Sequence, residues 1–523
     1  MKRRDVIVGL SCAALPFASR AEGLKTLRFV PRYGLTALDP VFSTDFVTRI
    51  CGLAVYESLF ATDRNLVPKP QMAAGHRIDE DGKRWTITLR EELRFHDGEP
   101  VLARDCVASI KRWMTRDLLS RTLAPRLDAL EAPDDRTVVF RLNKPFSGLD
   151  FALGKPLSNI LPIMPARLAE APPDKPVSEL IGSGPFRFLA KEYSTGQFAA
   201  FAPFDAYRPR QESPDGTAGG RRVQIDRLEW PAIPDASTAA NALMTGEVDW
   251  VQSPLPDLLP MLRAQRDVTV GLFDQHGTYA MLRLNHLQGP TANRAIRQAI
   301  MAAIDPVEVM QAVAGNEPDQ FTAPVGVFVP GVPSANTKGM ERLGGHKSVA
   351  EIQSMLRAAG YAGERVVALH ATDDAPAHAE MQVVIARLRA VGMTVDDVTT
   401  DIATTGQRAR SKEPLDKGGW SMIVFNPDGS AHLDPLVALG LRTGAAAFIG
   451  WPESQRMEDL RTAWIDSTDD SERRRLAEEI QDEGLKEVVF IPLGRFFRPS
   501  AWRRNVTGVL PAVVPLFWNV RKT

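Results

Sequence analysis

The sequence predicts an α/β protein with more than one domain and a smaller α+β unit set into it. Its 523 residues exceed what one hydrophobic core usually holds, and the 44% apolar and 24% charged content is that of a globular protein. Residues 366–425 read as strand, helix and strand, the order of an α/β unit. Residues 85–114 instead place two short strands, a turn and a helix in succession.

The N-terminus has the pattern of a secretory signal peptide over residues 1–21. Basic residues precede an apolar run over residues 6–18 that is too short to span a bilayer, and small residues follow it. Arg3 and Arg4 indicate a twin-arginine export signal, with a Sec signal as the alternative. Losing the four basic residues and one acidic residue of this segment changes the formal net charge from -1 to -4. We therefore expect a periplasmic protein.

The α+β unit is predicted from a change of period. Residues 85–89 alternate apolar and polar side chains as a half-buried strand does, and residues 96–100 (HDGEP) are typical of a tight turn. His96 and Asp97 also suggest a metal or acid/base pair, but we expect them to satisfy backbone groups of the turn. A helix follows from about residue 103. Its apolar face consists of Cys106, Val107, Ile110, Trp113 and Met114.

The remaining elements follow from caps, periodicity and turn residues. Residues 181–186 (IGSGPF) contain the glycines of a phosphate loop but run on as a strand, so we predict a turn. Ser348 with Glu351, and Asp305 with Pro306, are typical helix starts. The other predicted elements are strands over 26–33, 223–230, 420–425 and 488–493, and helices over 236–245, 293–304, 377–392 and after 470.

Catalytic and metal-binding motifs are missing from the sequence. It has no Gly-x-Ser-x-Gly elbow, no phosphate-binding P-loop and no His-Glu-x-x-His helix. The eight histidines form no i, i+4 pair, so we predict no catalytic residues, metal or cofactor, leaving open ligands from distant segments. Cys51 and Cys106 remain after export and are predicted to be buried apolar residues. The near-zero net charge gives no general attraction to nucleic acid or membrane.

Several phrases of the sequence resemble one protein family. Residues 85–107 (WTITLREELRFHDGEPVLARDCV) are similar to a segment of the extracellular solute-binding proteins of family 5, the peptide- and nickel-type receptors of ATP-driven importers. Glu92 and Leu102 depart from the Gly and Thr usual there. Further matching phrases are VYESLF at 55–60, GEVD at 246–249 and IRQAIMAAID at 296–305.

This resemblance implies a bilobal periplasmic-binding-protein fold of the three-domain, peptide-binding type, which closes like a Venus flytrap. Lobe one would comprise 24–64, 180–280 and 490–523, with 65–179 as the inserted α+β domain and 281–489 as lobe two. It also implies a monomeric component of an ABC importer that delivers a small polar ligand, most readily a short peptide, to an inner-membrane permease and its ATPase. The alternatives are a non-peptide solute (opine, amine or oligosaccharide), a secreted hydrolase and a sensory module.

The resemblance also suggests where the ligand binds. Tyr33 and Gly34 follow the first strand, where family members contact the ligand backbone; a loop aromatic is the alternative reading of Tyr33. Peptide-binding relatives end a lobe-two strand with W-x-x-D, whose carboxylate pairs with the peptide amine. Here that phrase is FNPD, which makes Asp428 the implied amine anchor, although Asn-Pro-Asp-Gly is also a turn signal. Phe425 and Asn426 of the same phrase are further candidates. Trp420 and Trp451 are candidates for the pocket lining, although aromatic core residues are the more frequent case. Arg442 is a candidate partner for a ligand carboxylate, with a surface charge as the alternative.

Overall fold

The computed structural model describes residues 25–172, 174–315 and 319–523. The predicted signal peptide lies outside these ranges. Within them, no helix is both long enough and apolar enough to cross a membrane.

The strands are short, and the strand over 84–89 follows the predicted alternation of buried and exposed side chains. The first strand and the strand that begins near Trp85 lie within a residue or two of their predicted starts. The strands are β1 (Thr26–Val30), β2 (Phe60–Thr62), β3 (Pro68–Pro70), β4 (Ala73–Asp79), β5 (Arg84–Leu89), β6 (Leu127–Glu131), β7 (Thr137–Leu142), β8 (Phe186–Phe188), β9 (Phe198–Pro203), β10 (Arg227–Pro231), β11 (Trp250–Val251), β12 (Val268–Gly271), β13 (Thr278–Leu284), β14 (Phe321–Thr322), β15 (Val366–Ala371), β16 (Val395–Thr400), β17 (Met422–Phe425), β18 (Ile491–Phe496), β19 (Ser500–Arg503), β20 (Val506–Thr507) and β21 (Arg521–Lys522).

Several helices begin at the predicted caps. Ser348 and Glu351 form a capping box, and the Asp305 side chain accepts a hydrogen bond from the amide of Val307 at the start of the helix that Pro306 opens. The helices are α1 (Phe46–Val55), α2 (Ala103–Met114), α3 (Ser120–Leu123), α4 (Leu149–Ala152), α5 (Ala166–Ala169), α6 (Ala236–Thr245), α7 (Leu259–Ala264), α8 (Arg294–Ala303), α9 (Pro306–Ala314), α10 (Val349–Ala358), α11 (Ala375–Ala390), α12 (Ile402–Arg408), α13 (Gln455–Asp466) and α14 (Asp470–Glu487).

Two mixed sheets form the two lobes. The sheet of lobe one has the strand order β12-β19-β11-β1-β10-β9-β8, and β1 runs parallel to both of its neighbours. The sheet of lobe two has the order β14-β18-β13-β17-β15-β16, in which β15 is parallel to β16 and β17. Strand β1 therefore lies at the centre of a lobe whose strands come from distant parts of the chain.

The chain passes between the lobes twice, and the two passages run side by side. The antiparallel pair β12–β19 in lobe one continues as the antiparallel pair β13–β18 in lobe two. Residues 272–277 and 497–499 are therefore the connections, and β13 and β18 both belong to lobe two. The expected boundaries at 280 and 490 need correction for this reason. The last predicted strand also begins late, at Ile491, because Val488 caps the C-terminal end of α14 in the left-handed region (φ 52°).

The inserted unit is an antiparallel sheet of order β4-β5-β7-β6 packed against α2. His96 of its turn faces the backbone of Gly184 through Nε2 at 3.0 Å, and its amide donates to Gly182 at 2.8 Å. Burial lowers the pKa of His96 to about 4. A Cβ atom at Gly182 would lie 2.2 Å from the carbonyl oxygen of Val55, so this glycine turn serves close backbone packing.

The core of lobe one gathers around an aromatic cluster. Phe29 makes edge-to-face contacts with Trp230, Trp250 and Phe517, with ring centroids 5.0–5.7 Å apart. The chain's last segment thus packs back on lobe one, as its apolar residues predict. Cys51 and Cys106 are free and buried, as predicted.

Candidate functional site

A small cavity of about 40 Å³ lies between the lobes, where residues of both converge. It has room for only a few water molecules. The lobe-one side is formed by the loop after β1, the first turn of α1 and the ends of β11 and β12, and the lobe-two side by the start of β13 and the end of β17. The lining residues are Arg32, Phe46, Gln252, Ser253, Phe273, Asp274, Gly277, Thr278, Asp428, Arg498 and Val513.

A larger groove of about 860 Å³ opens on the outside of lobe two. Its basic residue Arg365 is already paired with Asp396 at 3.2 Å and donates to the carbonyl of Leu415 at 2.8 Å. The basic side chain of this groove is therefore already paired, and the cavity between the lobes is the better candidate site.

Two guanidinium groups flank Phe46 on the lobe-one wall. Asp45 caps α1, which makes Phe46 the first residue of the helix and puts Arg49 one turn later on the same face. The guanidinium carbons of Arg32 and Arg49 lie 4.2 and 4.6 Å from the centroid of the Phe46 ring, close enough for cation–π attraction. The sequence therefore concentrates positive charge at this wall.

An ion pair crosses from this wall to lobe two. Nη2 of Arg49 lies 2.6 Å from Oδ2 of Asp428, with side-chain exposures of 5% and 27%. The turn that carries Asp428 is held in place because the carbonyl of Pro427 accepts from the amide of Tyr279 at 2.8 Å. The carboxylate implied as an amine anchor is thus at the cavity, where Arg49 balances its charge.

A third arginine enters the cavity from the connection after β18. Nε of Arg498 donates to Oγ1 of Thr278 at 3.2 Å, and its guanidinium carbon lies 5.0 Å from the Phe496 ring centroid. Burial lowers the pKa of Arg498, and nearby Arg32 lowers it further, whereas Asp374, Glu380 and Asp428 oppose this. Within the described residues, neither Arg32 nor Arg498 forms an ion pair with a carboxylate.

A buried carboxyl group lies behind this wall of lobe two. Nδ2 of Asn426 donates to Oε2 of Glu380 at 3.0 Å, while Oε1 of Glu380 and Oδ1 of Asn426 have no hydrogen-bond partner in the described part of the chain. Burial is the largest influence on Glu380 and raises its pKa to about 8, so the group is largely protonated at neutral pH. Sequence reasoning missed Glu380, although a carboxyl group among the inward positions of α11 was the available signal.

Three other predicted binding residues, Tyr33, Gly34 and Phe425, are not among those that line the cavity. Tyr33 is 41% exposed and stacks beneath Arg32, which takes the lining position beside it. A Cβ atom at Gly34 would lie 2.0 Å from the carbonyl oxygen of Gly196, so Gly34 is needed for packing. Phe425 contacts Phe448 at a centroid distance of 5.7 Å.

Trp420 and Arg442 are placed elsewhere, which corrects the expectation that they line the pocket. Trp420 is fully buried in a cluster with Val367, Leu369 and Ile423, with Trp451 packed against it. Arg442 is buried against the inserted unit, where Nη2 donates to the carbonyl of Leu118 at 3.2 Å; burial lowers its pKa to about 10. Neither residue is among those that line the cavity.

The described residues contain no group of three or more His, Cys, Asp or Glu side chains arranged to hold a metal ion. The site is instead a set of guanidinium, carboxyl and amide groups that suits hydrogen bonding to a polar, charged solute.

Comparison with known proteins agrees with this description. The model of the bacterial extracellular solute-binding proteins, family 5, matches residues 67–443. A probable peptide ABC transporter periplasmic-binding protein of Sinorhizobium fredii is 34% identical over 100% of this chain and 99% of its own length.

Two solved structures have the same fold. A dipeptide-binding protein from Pseudoalteromonas sp. SM9913 in complex with Met-Leu has a TM-score of 0.79, 19% identity and coverage of 95% of this chain and 100% of that one. The binding protein AgaA of A. tumefaciens R10 in complex with agropinic acid also has a TM-score of 0.79, with 21% identity and coverage of 95% and 99%.

Proposed function

Because the chain belongs to the bacterial extracellular solute-binding proteins of family 5, we propose that it captures a short peptide between its lobes and delivers it to an ABC importer. In this role the protein binds and releases its solute without converting it. It acts as an exported monomer in the periplasm, and its partners are the inner-membrane permease and that permease's ATPase.

The proposal depends on two arginines that line the cavity without a carboxylate partner. Arg32 and Arg498 have no carboxylate partner among the described residues, yet both face the same small space. A guanidinium group matches a carboxylate in shape and hydrogen-bond geometry, so the two arginines fit the carboxylate of a peptide.

The opposite end of the ligand would meet lobe two. Once Arg49 withdraws, the carboxylate of Asp428 is free for an ammonium group, and the unpartnered Oδ1 of Asn426 is free to accept a peptide N–H. A charge-assisted hydrogen bond in a closed cleft contributes about 1.5–3 kcal/mol. The two ends of the cleft are therefore complementary to a zwitterion.

Capture requires the lobes to separate, because a cavity of about 40 Å³ cannot hold a peptide. The side-by-side connections 272–277 and 497–499 are the hinge in this proposal. Two contacts outside the cleft join the inserted unit to lobe two in the closed form. They are the 2.6 Å ion pair of Arg126 with Asp466 and the hydrogen bond from Arg473 to Ser147. A ligand that binds the closed form better shifts the population toward it.

Export is part of the proposal. Residues 1–21 would direct the chain to the periplasm through the twin-arginine route. Replacing Arg3 and Arg4 by lysine in the full-length chain should leave the precursor in the cytoplasm, measured by cell fractionation. Unchanged export would assign the chain to the Sec route.

The deciding experiment is native mass spectrometry of protein purified from periplasm, followed by calorimetry with the solute found. We expect the purified protein to hold a peptide. Unfolding the protein should release this peptide chemically unchanged, and the refolded protein should bind it again. The agropinic acid complex of AgaA makes opines the natural comparison panel, since two arginines suit any carboxylate. If the bound solute is an opine, the transport role stands and the proposed peptide ligand is wrong. Chemical conversion of the solute by the protein would contradict the proposal.

A further inference from the structure

Two histidines of lobe two meet outside the cavity. His370 lies in β15 and is 1% exposed, and His378 lies in the first turn of α11 and is partly exposed. Their Nδ1 atoms are 3.2 Å apart, and their ring centroids are 5.0 Å apart. Sequence spacing did not indicate this pair, because the two residues are neither three nor four positions apart on one helix.

A carboxylate on the adjacent strand orients the buried ring. Nε2 of His370 lies 2.7 Å from Oδ1 of Asp397 in β16, and the other oxygen of Asp397 accepts from Nε2 of Gln382 at 2.9 Å. In the tautomer that carries its proton on Nε2, beside Asp397, the lone pair of Nδ1 of His370 points toward His378. Two Nδ1 atoms that face each other share either a proton or a metal ion.

The spacing of the two nitrogens fits a metal ion. Zinc binds imidazole nitrogen at about 2.0–2.1 Å, and two such ligands at a tetrahedral angle lie about 3.3 Å apart. A histidine that donates its other ring N–H to a carboxylate is the usual arrangement around a bound metal, since the carboxylate fixes the tautomer and raises the basicity of the ligand. The observed 3.2 Å and 2.7 Å distances match both features.

We propose that His370 and His378 bind one divalent transition metal of the class that prefers imidazole, such as Zn²⁺, Cu²⁺ or Ni²⁺, through their Nδ1 atoms. Asp397 positions His370, and solvent completes the coordination on the partly exposed side of His378. With two protein ligands the site is exchangeable. The inference is independent of the proposed peptide binding, although the metal would fix the first turn of α11, two residues before Glu380.

Cobalt titration of chelator-treated, untagged protein tests this inference. Co²⁺ bound to nitrogen ligands absorbs visible light, and calorimetry with Zn²⁺ gives the stoichiometry. We expect one metal ion per chain, loss of the site in His378→Ala, and binding about 10–100-fold weaker in Asp397→Asn. His346→Ala is the matched control, because His346 is exposed and lies outside this cluster.

His378 is the preferred variant because it is partly exposed, so its replacement should leave the circular dichroism and melting temperature near those of the parent. Absence of Co²⁺ absorption and of Zn²⁺ heat in the parent protein would overturn the inference and leave a shared proton between the rings. Equal metal binding by the parent and by His378→Ala would also overturn it.

Discussion

The two walls of the cavity differ in charge and in the way the chain builds them. The lobe-one wall has a local origin: Arg32, Phe46 and Arg49 come from one loop and the helix after it, and both guanidinium groups lie over the Phe46 ring. The lobe-two wall brings together Thr278, the 426–428 turn and Glu380 of α11, and it keeps a protonated carboxyl group behind an amide. The comparison suggests that lobe one attracts the charge of the solute, whereas lobe two provides hydrogen bonds.

The largest expected effect concerns the buried carboxyl group of lobe two. The usual pKa of a glutamate is near 4.5, and in the folded protein that of Glu380 is raised to about 8. The unfolded chain releases this proton first, so the free energy of unfolding should fall as pH rises from about 4.5 to 8 and then stay level. Glu380→Gln should remove this dependence and stabilise the protein at pH 8 by on the order of 3 kcal/mol.

Chemical denaturation of both proteins at pH 5 and pH 8 measures this effect. The buried histidines have the opposite effect on the free energy of unfolding. His432, with a pKa lowered to about 4, makes the protein less stable as pH falls below 6.5. Their contribution cancels in the difference between the two proteins. A constant difference between pH 5 and pH 8 would contradict a protonated Glu380.

The next largest effect is a loss of solute affinity when one of the two cavity arginines without a carboxylate partner is replaced. Arg498→Ala should weaken binding of the co-purifying solute about tenfold to a hundredfold, the value of a hydrogen bond to a charged group. Arg28→Ala is the matched control, because Arg28 is 45% exposed and pairs with Glu229 away from the cavity. Calorimetry measures both affinities, and equal affinity in Arg498→Ala and the parent would remove Arg498 from the site.

A smaller effect is expected from the ion pair that joins the two walls. Asp428→Ala should weaken solute binding, and it leaves the 5% exposed guanidinium of Arg49 without its partner. A double-mutant cycle with Arg49→Met should give a coupling free energy of about 1 kcal/mol in the thermal stability of the ligand-free protein. Additive effects would show that the pair contributes nothing to closure.

The smallest effect on binding is expected at Trp420. Because this side chain is fully buried in a cluster away from the cavity, Trp420→Phe should leave the solute affinity within about twofold. Its smaller ring leaves a void, so the free energy of unfolding should fall by about 1–3 kcal/mol. Scanning calorimetry and titration separate the two outcomes, and a large loss of affinity would return Trp420 to the site.

Local sequence signals predicted much of the fold. The Ser348 capping box and the Asp305 cap are formed as expected, because each depends on a few neighbouring residues. The strand β18 was assigned to the wrong lobe, since its place depends on pairing with β13, about 200 positions earlier in the chain.

The site was predicted less well for the same reason. Asp428 was found through a local phrase, and Arg32 adjoins the predicted Tyr33. Arg49 and Arg498 were missed because only the folded chain brings them to one cavity. Trp420 was a candidate for the pocket with a core position as the alternative, and it lies in the core; the sequence does not show which side of a lobe an aromatic residue faces.

The most direct test of the account is a distance measurement between the lobes. Cys51 and Cys106 are buried, so spin labels can be attached to cysteines placed at the exposed positions Lys191 of lobe one and Asp416 of lobe two. Pulsed electron resonance should give a broad distribution of distances without solute. Addition of the co-purifying peptide should narrow it to one shorter distance, whereas an unchanged distribution at saturating peptide would contradict capture by closure.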